Sequence, residues 1–185
     1  SGLEGLQFFD DFEFGVDPKW SIQYGDLGSS KGSFTVISPF ESSAGLSHFA
    51  ILEPDELKNY IATLALSEYH ASSNDSKFGM ILRYSPEGES IGILFDPRKN
   101  KVSLGYFDNA QNWNIFPGTT VTENFDKTTV FKAEVDGNLY KVFSDSSLIT
   151  YANMPGIESG KFGLWFVSSS NTDIYSYAPR VEYIR

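Results

Sequence analysis

The sequence has no cysteine and few of the other residues that most often carry chemistry. Only two histidines and two methionines occur in its 185 residues. Without cysteine the chain forms no disulfide, offers no thiol nucleophile and has no cysteine metal site. This composition is compatible with a cytosolic protein and also with a secreted bacterial domain that manages without disulfides.

Positive charge and long apolar runs are also scarce. Lys and Arg number 14 against 24 Asp and Glu, which makes the formal net charge −10. Phosphate backbones and anionic lipid surfaces would be repelled, so neither nucleic acid nor a membrane is expected as a partner. No apolar run approaches the roughly 18 residues of a membrane span, and a signal peptide is not expected within the sequence as it stands.

Aromatic residues, in contrast, are abundant: the chain has 16 Phe and 10 Tyr, and aromatics make up 16% of it. Such a chain is too apolar to be disordered. Its length predicts one domain over residues 1–185 with a full core. The opening Ser1-Gly2 is consistent with a tag remnant, so we expect a module of a longer protein with other domains.

Short runs rich in Val, Ile, Phe and Tyr predict β-strands along nearly the whole chain. They cover residues 34–38, 59–67, 78–84, 90–95, 101–107, 129–136, 139–144 and 161–168, with strand-like ends at 6–14 and 180–185. Turn residues separate them, and Asp136-Gly137-Asn138 is the strongest hairpin signal. Turns about 8 to 12 residues apart favour an antiparallel all-β sandwich or barrel. The two terminal strands are expected to pair.

Alternation along these strands predicts which side chains face the core. It places Trp165 on the outer face of its strand, with small residues beside it. In the stretch "KFGMILRY" it places Arg83 on the outer face, opposite Met80, Leu82 and Tyr84. The side chains expected to face the core include Phe131, Ala133, Val135, Phe162, Leu164, Phe166, Val102, Leu104 and Tyr106.

The order of these motifs resembles the concanavalin A-like lectin/glucanase superfamily. The matching stretches are "FFDDFE", Trp20, "FGMILRY", "VFKAEVDGNLYKVFSDSSLI", "SGKFGLWFVSS" and "RVEYI", over about residues 8–184. Within it the sequence is most similar to family-66 carbohydrate-binding modules and the related 3-keto-disaccharide hydrolase-like domains. The resemblance implies a two-sheet antiparallel jelly-roll sandwich with a ligand site on the concave sheet or its rim. It also implies an oligo- or polysaccharide ligand and an extracellular or cell-surface bacterial protein, appended to a glycoside hydrolase.

Catalysis by this sequence is not expected. Family-16 glucanases of the same superfamily carry Glu-x-Asp-x-x-Glu on one strand, and that pattern is missing here. The nearest acidic group, Asp10, Asp11 and Glu13, fits a solvated or calcium-related strand end. We therefore interpret the chain as a non-catalytic carbohydrate-binding module. A glycoside-cleaving enzyme of the same fold and a protein-contacting adhesive or structural module remain alternatives.

Sugar binding requires an aromatic plane against the ring and polar groups for its hydroxyls. Arg83 supplies a fork of donors, and Trp165 or Trp113 a stacking surface. The other candidate contacts are Tyr106, Asp108, Asn109 and Asp96, the last also as a partner that orients Arg83. Each has a structural alternative: Arg83 as a buried arginine paired with a carboxylate, and the tryptophans as packing residues.

A structural calcium ion is a separate expectation. The resemblance implies Ca²⁺ near the paired termini or a long loop, and Asp10 and Asp11 are the candidate ligands. No EF-hand-like spacing supports a fuller ligand set, and no other cofactor is expected.

Overall fold

The fold consists of β-strands joined by turns. The computed structural model describes residues 5–9, 17–24, 26–30, 33–38, 47–53, 56–70, 77–109, 112–125, 129–167 and 174–183. The strands in these ranges are β1 (Gly5–Phe9), β2 (Trp20–Tyr24), β3 (Asp26–Ser30), β4 (Ser33–Ser38), β5 (Ser47–Leu52), β6 (Tyr60–His70), β7 (Lys77–Tyr84), β8 (Ser90–Asp96), β9 (Lys101–Phe107), β10 (Trp113–Ile115), β11 (Val121–Thr122), β12 (Val130–Asp136), β13 (Leu139–Ser144), β14 (Ser147–Asn153), β15 (Lys161–Val167) and β16 (Ile174–Tyr183). No helix long and apolar enough to cross a membrane occurs in these ranges.

Two antiparallel sheets contain all the strands. The first sheet runs β14-β13-β12-β6-β16-β4-β3, with β1 paired to β16. The second runs β10-β9-β8-β7-β15-β5-β2, with β11 paired to β9. The first strand pairs with the last, as predicted, from Gly5 opposite Tyr183 to Phe9 opposite Arg180. The sequence-based prediction of an antiparallel two-sheet sandwich is confirmed.

The hairpin turns follow the predicted turn chemistry. Asp136 pairs with Leu139 across the β12–β13 hairpin, and Gly137 between them has a φ of 58°. Glycine takes this left-handed conformation without the steric cost that a side chain would bring. The turn residues in "SPEGES" (85–90) and "DPRKN" (96–100) also predict hairpins, and both hairpins are present, since β7 pairs with β8 and β8 with β9.

A single hydrophobic core lies between the sheets. The predicted alternation is confirmed for β12, β15 and β9: the side chains expected to face inward join this core, with Tyr106 partly buried against it. Rings pack closely there, with Phe95 and Phe131 centroids 4.5 Å apart across the two sheets. Burial of this apolar surface is the main stabilising contribution, at about 25 cal/mol per Å² removed from water.

Strand β7 departs from the predicted alternation at a β-bulge. Ile81 pairs with Gly92 and Arg83 with the adjacent Ile91, so Leu82 is an extra residue relative to β8. A bulge of this kind reverses the facing of the residues that follow it. The prediction that Arg83 lies on the outer face and Tyr84 in the core is therefore wrong: Arg83 bonds to Tyr140 between the sheets, and Tyr84 joins the outer cluster.

Candidate functional site

The outer face of the second sheet, the face turned away from the core, carries a cluster of five aromatic side chains. We call Phe49, Tyr84, Phe107, Trp113 and Trp165 the aromatic layer. The ring centroids of Trp113 and Trp165 are 4.7 Å apart, and that of Phe107 is 4.7 Å from Trp165 and 5.2 Å from Trp113. The tilted and edge-on geometries are those that aromatic pairs favour. The sheet therefore has a second hydrophobic cluster on the side that a solvent-facing sheet would fill with charged residues.

Glycines beneath the tryptophans allow the indole rings to lie against the sheet. A Cβ added to Gly105 would stand 2.8 Å from Trp113 and 2.2 Å from the backbone oxygen of Asn114. A Cβ on Gly79 would stand 2.9 Å from Trp165 and 2.1 Å from the backbone oxygen of Ile93. Neither position has room for a side chain, because the nearest atoms include backbone. Gly79 and Gly105 thus form the surface against which the two tryptophans pack, and we call this surface the glycine floor.

Among the five side chains of the aromatic layer, Trp113 is the one that is partly exposed. Trp165 is only 2% exposed, although it lies on the outer face as predicted. Trp113 is partly exposed, and so is Leu94, which packs against the layer. The indole N–H of Trp113 is enclosed and has no hydrogen-bond partner in the part of the chain described. A ligand approaching this face would meet Trp113 first.

The β9–β10 hairpin places polar groups beside Trp113. The Asp108 carboxylate accepts hydrogen bonds from the Asn112 backbone N–H (2.9 Å) and from the Asn114 amide (3.4 Å). The Asn112 carbonyl accepts from the Asp108 N–H (3.0 Å) and the Asn114 amide (2.9 Å). Asn109 and Asn112 are exposed on this hairpin. The structure therefore brings Trp113, Asp108 and Asn109 to one end of the sheet, and the ring of Trp165, from a more central position on the same face, contacts that of Trp113.

Arg83 lies between the sheets rather than on this face. Its guanidinium is 1% exposed and donates to the Tyr140 hydroxyl (2.8 Å), the Lys58 carbonyl (2.8 Å) and the Ile157 carbonyl. No carboxylate is within ion-pair distance of it among the described residues. The structural alternative of a buried arginine fits this placement, but its partners are carbonyls and a hydroxyl instead of a carboxylate. Nε has no partner in the described part of the chain.

Two buried tyrosines complete this polar cluster, which we call the Arg83 bridge. The Tyr60 hydroxyl donates to the carbonyl of Leu82, the extra residue of the bulge. Burial raises the pKa of Tyr60 well above its ordinary value, while the nearby Arg83 charge opposes that rise. The pKa of Tyr140 is likewise raised by burial, against the lowering effect of Arg83. Both phenols therefore stay protonated wherever the protein is folded near neutral pH.

These raised pKa values predict a loss of stability at alkaline pH. Below about pH 10, both the folded and unfolded states keep the phenolic protons. Above it, the unfolded state loses them while the folded state retains them, so the free energy of unfolding falls as pH rises. Urea denaturation at several pH values above 9 should show this fall, and the Tyr60→Phe variant should show a shallower one. An identical slope in the two proteins would contradict the prediction.

Asp96 lies at the opposite end of the sheet from Trp113, whereas Tyr106 lies at the Trp113 end but on the opposite face of the sheet. Asp96 sits opposite Lys101, at the far end of the β8–β9 hairpin, and accepts a hydrogen bond from the Lys99 backbone N–H (3.3 Å). Since Arg83 pairs at the other end of β8, the predicted Asp96–Arg83 pairing is wrong. Tyr106 faces the core side, stacked on Phe116 at 5.5 Å. Their roles as sugar contacts stay predictions, and the structure does not bring either beside Trp113.

Sequence reasoning missed Phe49, Tyr84 and Phe107 as members of the site. Because Val102, Leu104 and Tyr106 were predicted to face the core, alternation leaves Phe107 on the outer face of the same strand, but Tyr84 was misplaced by the bulge. Phe49 lies on β5, a strand that the sequence pattern did not predict. The usable signal was the recurrence of glycine at outer-face positions of neighbouring strands, which indicates that large side chains cover them.

No group of three or more His, Cys, Asp or Glu residues that could hold a metal ion occurs in the ranges the structure describes. Asp10 and Asp11 lie outside those ranges. Calcium binding by these two residues stays a prediction.

Comparison with known proteins gives matches in structure alone. No protein-family model matches the sequence, and no curated protein matches it. The carbohydrate-binding module CBM66 from Bacillus subtilis is similar with a TM-score of 0.63 and 13% identity, over 89% of this chain and 92% of that one. A beta-glucanase from Bacillus licheniformis has a TM-score of 0.63 and 14% identity, over 98% and 99% of the two chains. The exoplasmic/lumenal domain of VIP36, bound to Ca²⁺ and Man3GlcNAc, has a TM-score of 0.62 and 13% identity, over 93% and 86%.

These similarities establish the fold. The chain is a concanavalin A-like jelly-roll sandwich, as the resemblance implied. Solved structures that share this fold include both a carbohydrate-binding module and glucanases. Because one fold serves several functions, the function has to be argued from the site.

Proposed function

We propose that the protein is a non-catalytic carbohydrate-binding module that binds a glycan at the Trp113 end of the aromatic layer. The observation that carries this proposal is the partly exposed indole of Trp113, seated on a glycine floor and flanked by the Asp108–Asn114 hairpin. A sugar ring stacks its C–H face on such an indole, and exposed amides bond to its hydroxyls.

The rigidity of the platform supports binding at this place. Trp113 lies opposite Phe107 in the β9–β10 pairing and contacts Trp165 from above. Its ring is thereby fixed before any ligand arrives, so little conformational entropy is lost on binding. One accessible ring with neighbouring amides fits micromolar to millimolar affinity, roughly 4 to 8 kcal/mol. Such a module raises the local concentration of an attached enzyme at its glycan.

The distribution of carboxylates favours binding over hydrolysis. Glycoside hydrolysis requires two carboxyl groups, about 5 to 9.5 Å apart, on either side of the scissile bond. The four central strands of the second sheet, β7, β8, β9 and β15, contain a single carboxylate, Asp96. It lies at the opposite end of the β8–β9 hairpin from Trp113. The carboxylates nearer Trp113, namely Asp108, Glu87, Glu89 and Glu158, lie in turns and loops outside these strands, so the central strands themselves present no carboxylate pair to a ligand.

The proposal extends to the setting of the protein. The structural neighbours include a carbohydrate-binding module and a beta-glucanase that both come from Bacillus species. We propose accordingly that this chain works outside the cell or at its surface, beside other domains of a larger protein. Turnover of any glycan by the isolated chain would favour the glycosidase alternative instead.

Replacing Trp113 with alanine is expected to weaken glycan binding about tenfold or more, because the stacking surface is lost. A glycan array identifies a bound oligosaccharide, and calorimetry with that sugar compares the variants. Tyr151→Ala is the matched control, since Tyr151 is an aromatic residue 63% exposed on β14 of the other sheet. Equal affinity in the parent and Trp113→Ala would overturn the site. An array that captures no sugar, with a protein partner found instead, would favour the adhesive alternative.

A further inference from the structure

The charge around the Trp113 end points to the class of glycan bound there. We propose, as an extension that rests on the function proposed above, that this site selects uncharged glycans and discriminates against those carrying uronate or sulfate groups. Neither the fold nor the aromatic layer implies such selection, because aromatic stacking is available to neutral and acidic sugars alike.

Carboxylates surround the Trp113 end of the second sheet. Ser90 pairs with Phe107, so the β7–β8 turn lies directly beside the β9–β10 hairpin. Glu87 and Glu89 project from that turn and are exposed. Glu158, also exposed, lines an open cleft together with Ser85 and Glu89. We call Glu87, Glu89, Asp108 and Glu158 the acidic rim.

The described cations near the acidic rim are few and mostly engaged. Arg83 is buried, and its terminal nitrogens bond to Tyr140 and two backbone carbonyls. Lys161 is ion-paired with Glu53. Lys58, whose side chain is exposed, contributes its carbonyl to Arg83 and leaves a single ammonium group nearby.

Apart from Arg83, the cations of β7, β8, β9 and the turns between them lie at the end opposite Trp113. Phe78 pairs with Phe95, and Asp96 pairs with Lys101. The end of the sheet opposite Trp113 therefore contains Lys77, Lys101 and the 97–100 turn. Arg98 and Lys99 are exposed on that turn. In these three strands, therefore, the exposed basic residues lie at the end away from the accessible aromatic ring. Lys19 lies at the Trp113 end of the sheet, but beside β2 at its opposite edge.

This charge distribution favours neutral glycans over acidic ones at the Trp113 end. A uronate or sulfate on a ring stacked at Trp113 would approach the acidic rim with no described guanidinium free to pair with it. The repulsion is strongest at low salt and falls off over a Debye length of about 8 Å at physiological ionic strength. A neutral sugar ring is not repelled by the acidic rim, and its hydroxyls can donate hydrogen bonds to the carboxylates. We expect about tenfold weaker binding of an acidic glycan at low salt, with the difference narrowing as salt rises.

The test compares matched sugars. Laminari-, cello- and manno-oligosaccharides are each titrated beside their C6-oxidised uronate forms, at low and at physiological salt. The parent should bind at least one neutral form, and the corresponding uronate about tenfold more weakly. The double variant Glu87→Gln/Glu89→Gln should narrow that difference. Glu134→Gln, which removes a carboxylate from β12 in the other sheet, should leave it unchanged.

The possible failures are distinguishable. If a uronate binds as tightly as its neutral form, or the double variant leaves the difference unchanged, the acidic rim does not select the ligand, while the proposed function stands. If no oligosaccharide of either kind binds, the proposed function itself is overturned and the selection with it.

Discussion

Replacing Arg83 with alanine is expected to lower the free energy of unfolding by about 4 kcal/mol. The change leaves the Tyr140 hydroxyl and two backbone carbonyls without their donor, and it opens a cavity between the sheets. Hydrogen bonds to a charged group contribute about 1.5 to 3 kcal/mol each, more than neutral ones. Removing Arg83 also removes the desolvation cost of its buried charge, which offsets part of the lost hydrogen-bond energy. Urea denaturation measures the difference.

Two further variants separate the causes of that loss. Arg83→Met keeps the length of the side chain but not its donors, so its stability should fall between those of the parent and Arg83→Ala. Lys99→Ala, at an exposed lysine of the 97–100 turn, should stay within about 0.5 kcal/mol of the parent. If Arg83→Met were as stable as the parent, the hydrogen bonds of the Arg83 bridge would not stabilise the fold.

Replacing Gly105 with alanine is expected to cost about 1 to 3 kcal/mol of stability and about a tenfold loss of glycan affinity. The new Cβ would stand 2.2 Å from the Asn114 carbonyl oxygen, so β10 has to move away from β9. Trp113, which starts β10, would move with it. Tryptophan fluorescence, denaturation and glycan titration report the displacement, the stability and the binding.

A graded series of glycines provides the control for this result. At Gly92 the added Cβ would be 3.2 Å from the Trp113 ring and 3.3 Å from the Met80 carbonyl oxygen, which predicts a smaller effect. At Gly88, in the neighbouring turn, the nearest atom is the Ser85 hydroxyl oxygen at 3.3 Å, which predicts the smallest change in binding. A glycan affinity of Gly105→Ala equal to that of the parent would show that the packing of Trp113 on the glycine floor is not required for binding.

Ten of the sixteen strands that the structure describes, and the facing of most of their side chains, were predictable because both depend on local properties; β2, β3, β5, β10, β11 and β14 were not predicted. Val, Ile, Phe and Tyr runs between turn residues predict strands, and the period of two assigns each face. The three-residue β10 was too short to stand out from its loop, and its pairing with β9 arises only from the folded hairpin. The fold class followed from the arrangement of many such runs, so it did not depend on any one of them.

The placement of Arg83 was not predictable from its own strand. Nothing in "KFGMILRY" signals a bulge, since Leu82 and its neighbours alternate acceptably without one. The bulge is supported from the opposite sheet, where Tyr60 and Tyr140 provide partners for the Leu82 carbonyl and the guanidinium. Similarly, the outer position of Trp165 followed from alternation, but its burial depends on Phe107 and Trp113, which reach it from β9 and β10.

The Arg83 bridge also bears on how the two sheets choose their alignment. An apolar core tolerates many ways of sliding one sheet over the other, because hydrophobic contacts have little direction. A buried guanidinium does not tolerate such sliding, because in a shifted alignment it would be enclosed without hydrogen-bond acceptors, at a cost of several kcal/mol. We infer that the Arg83 bridge favours the native alignment of the two sheets over alignments in which one sheet is shifted along the other.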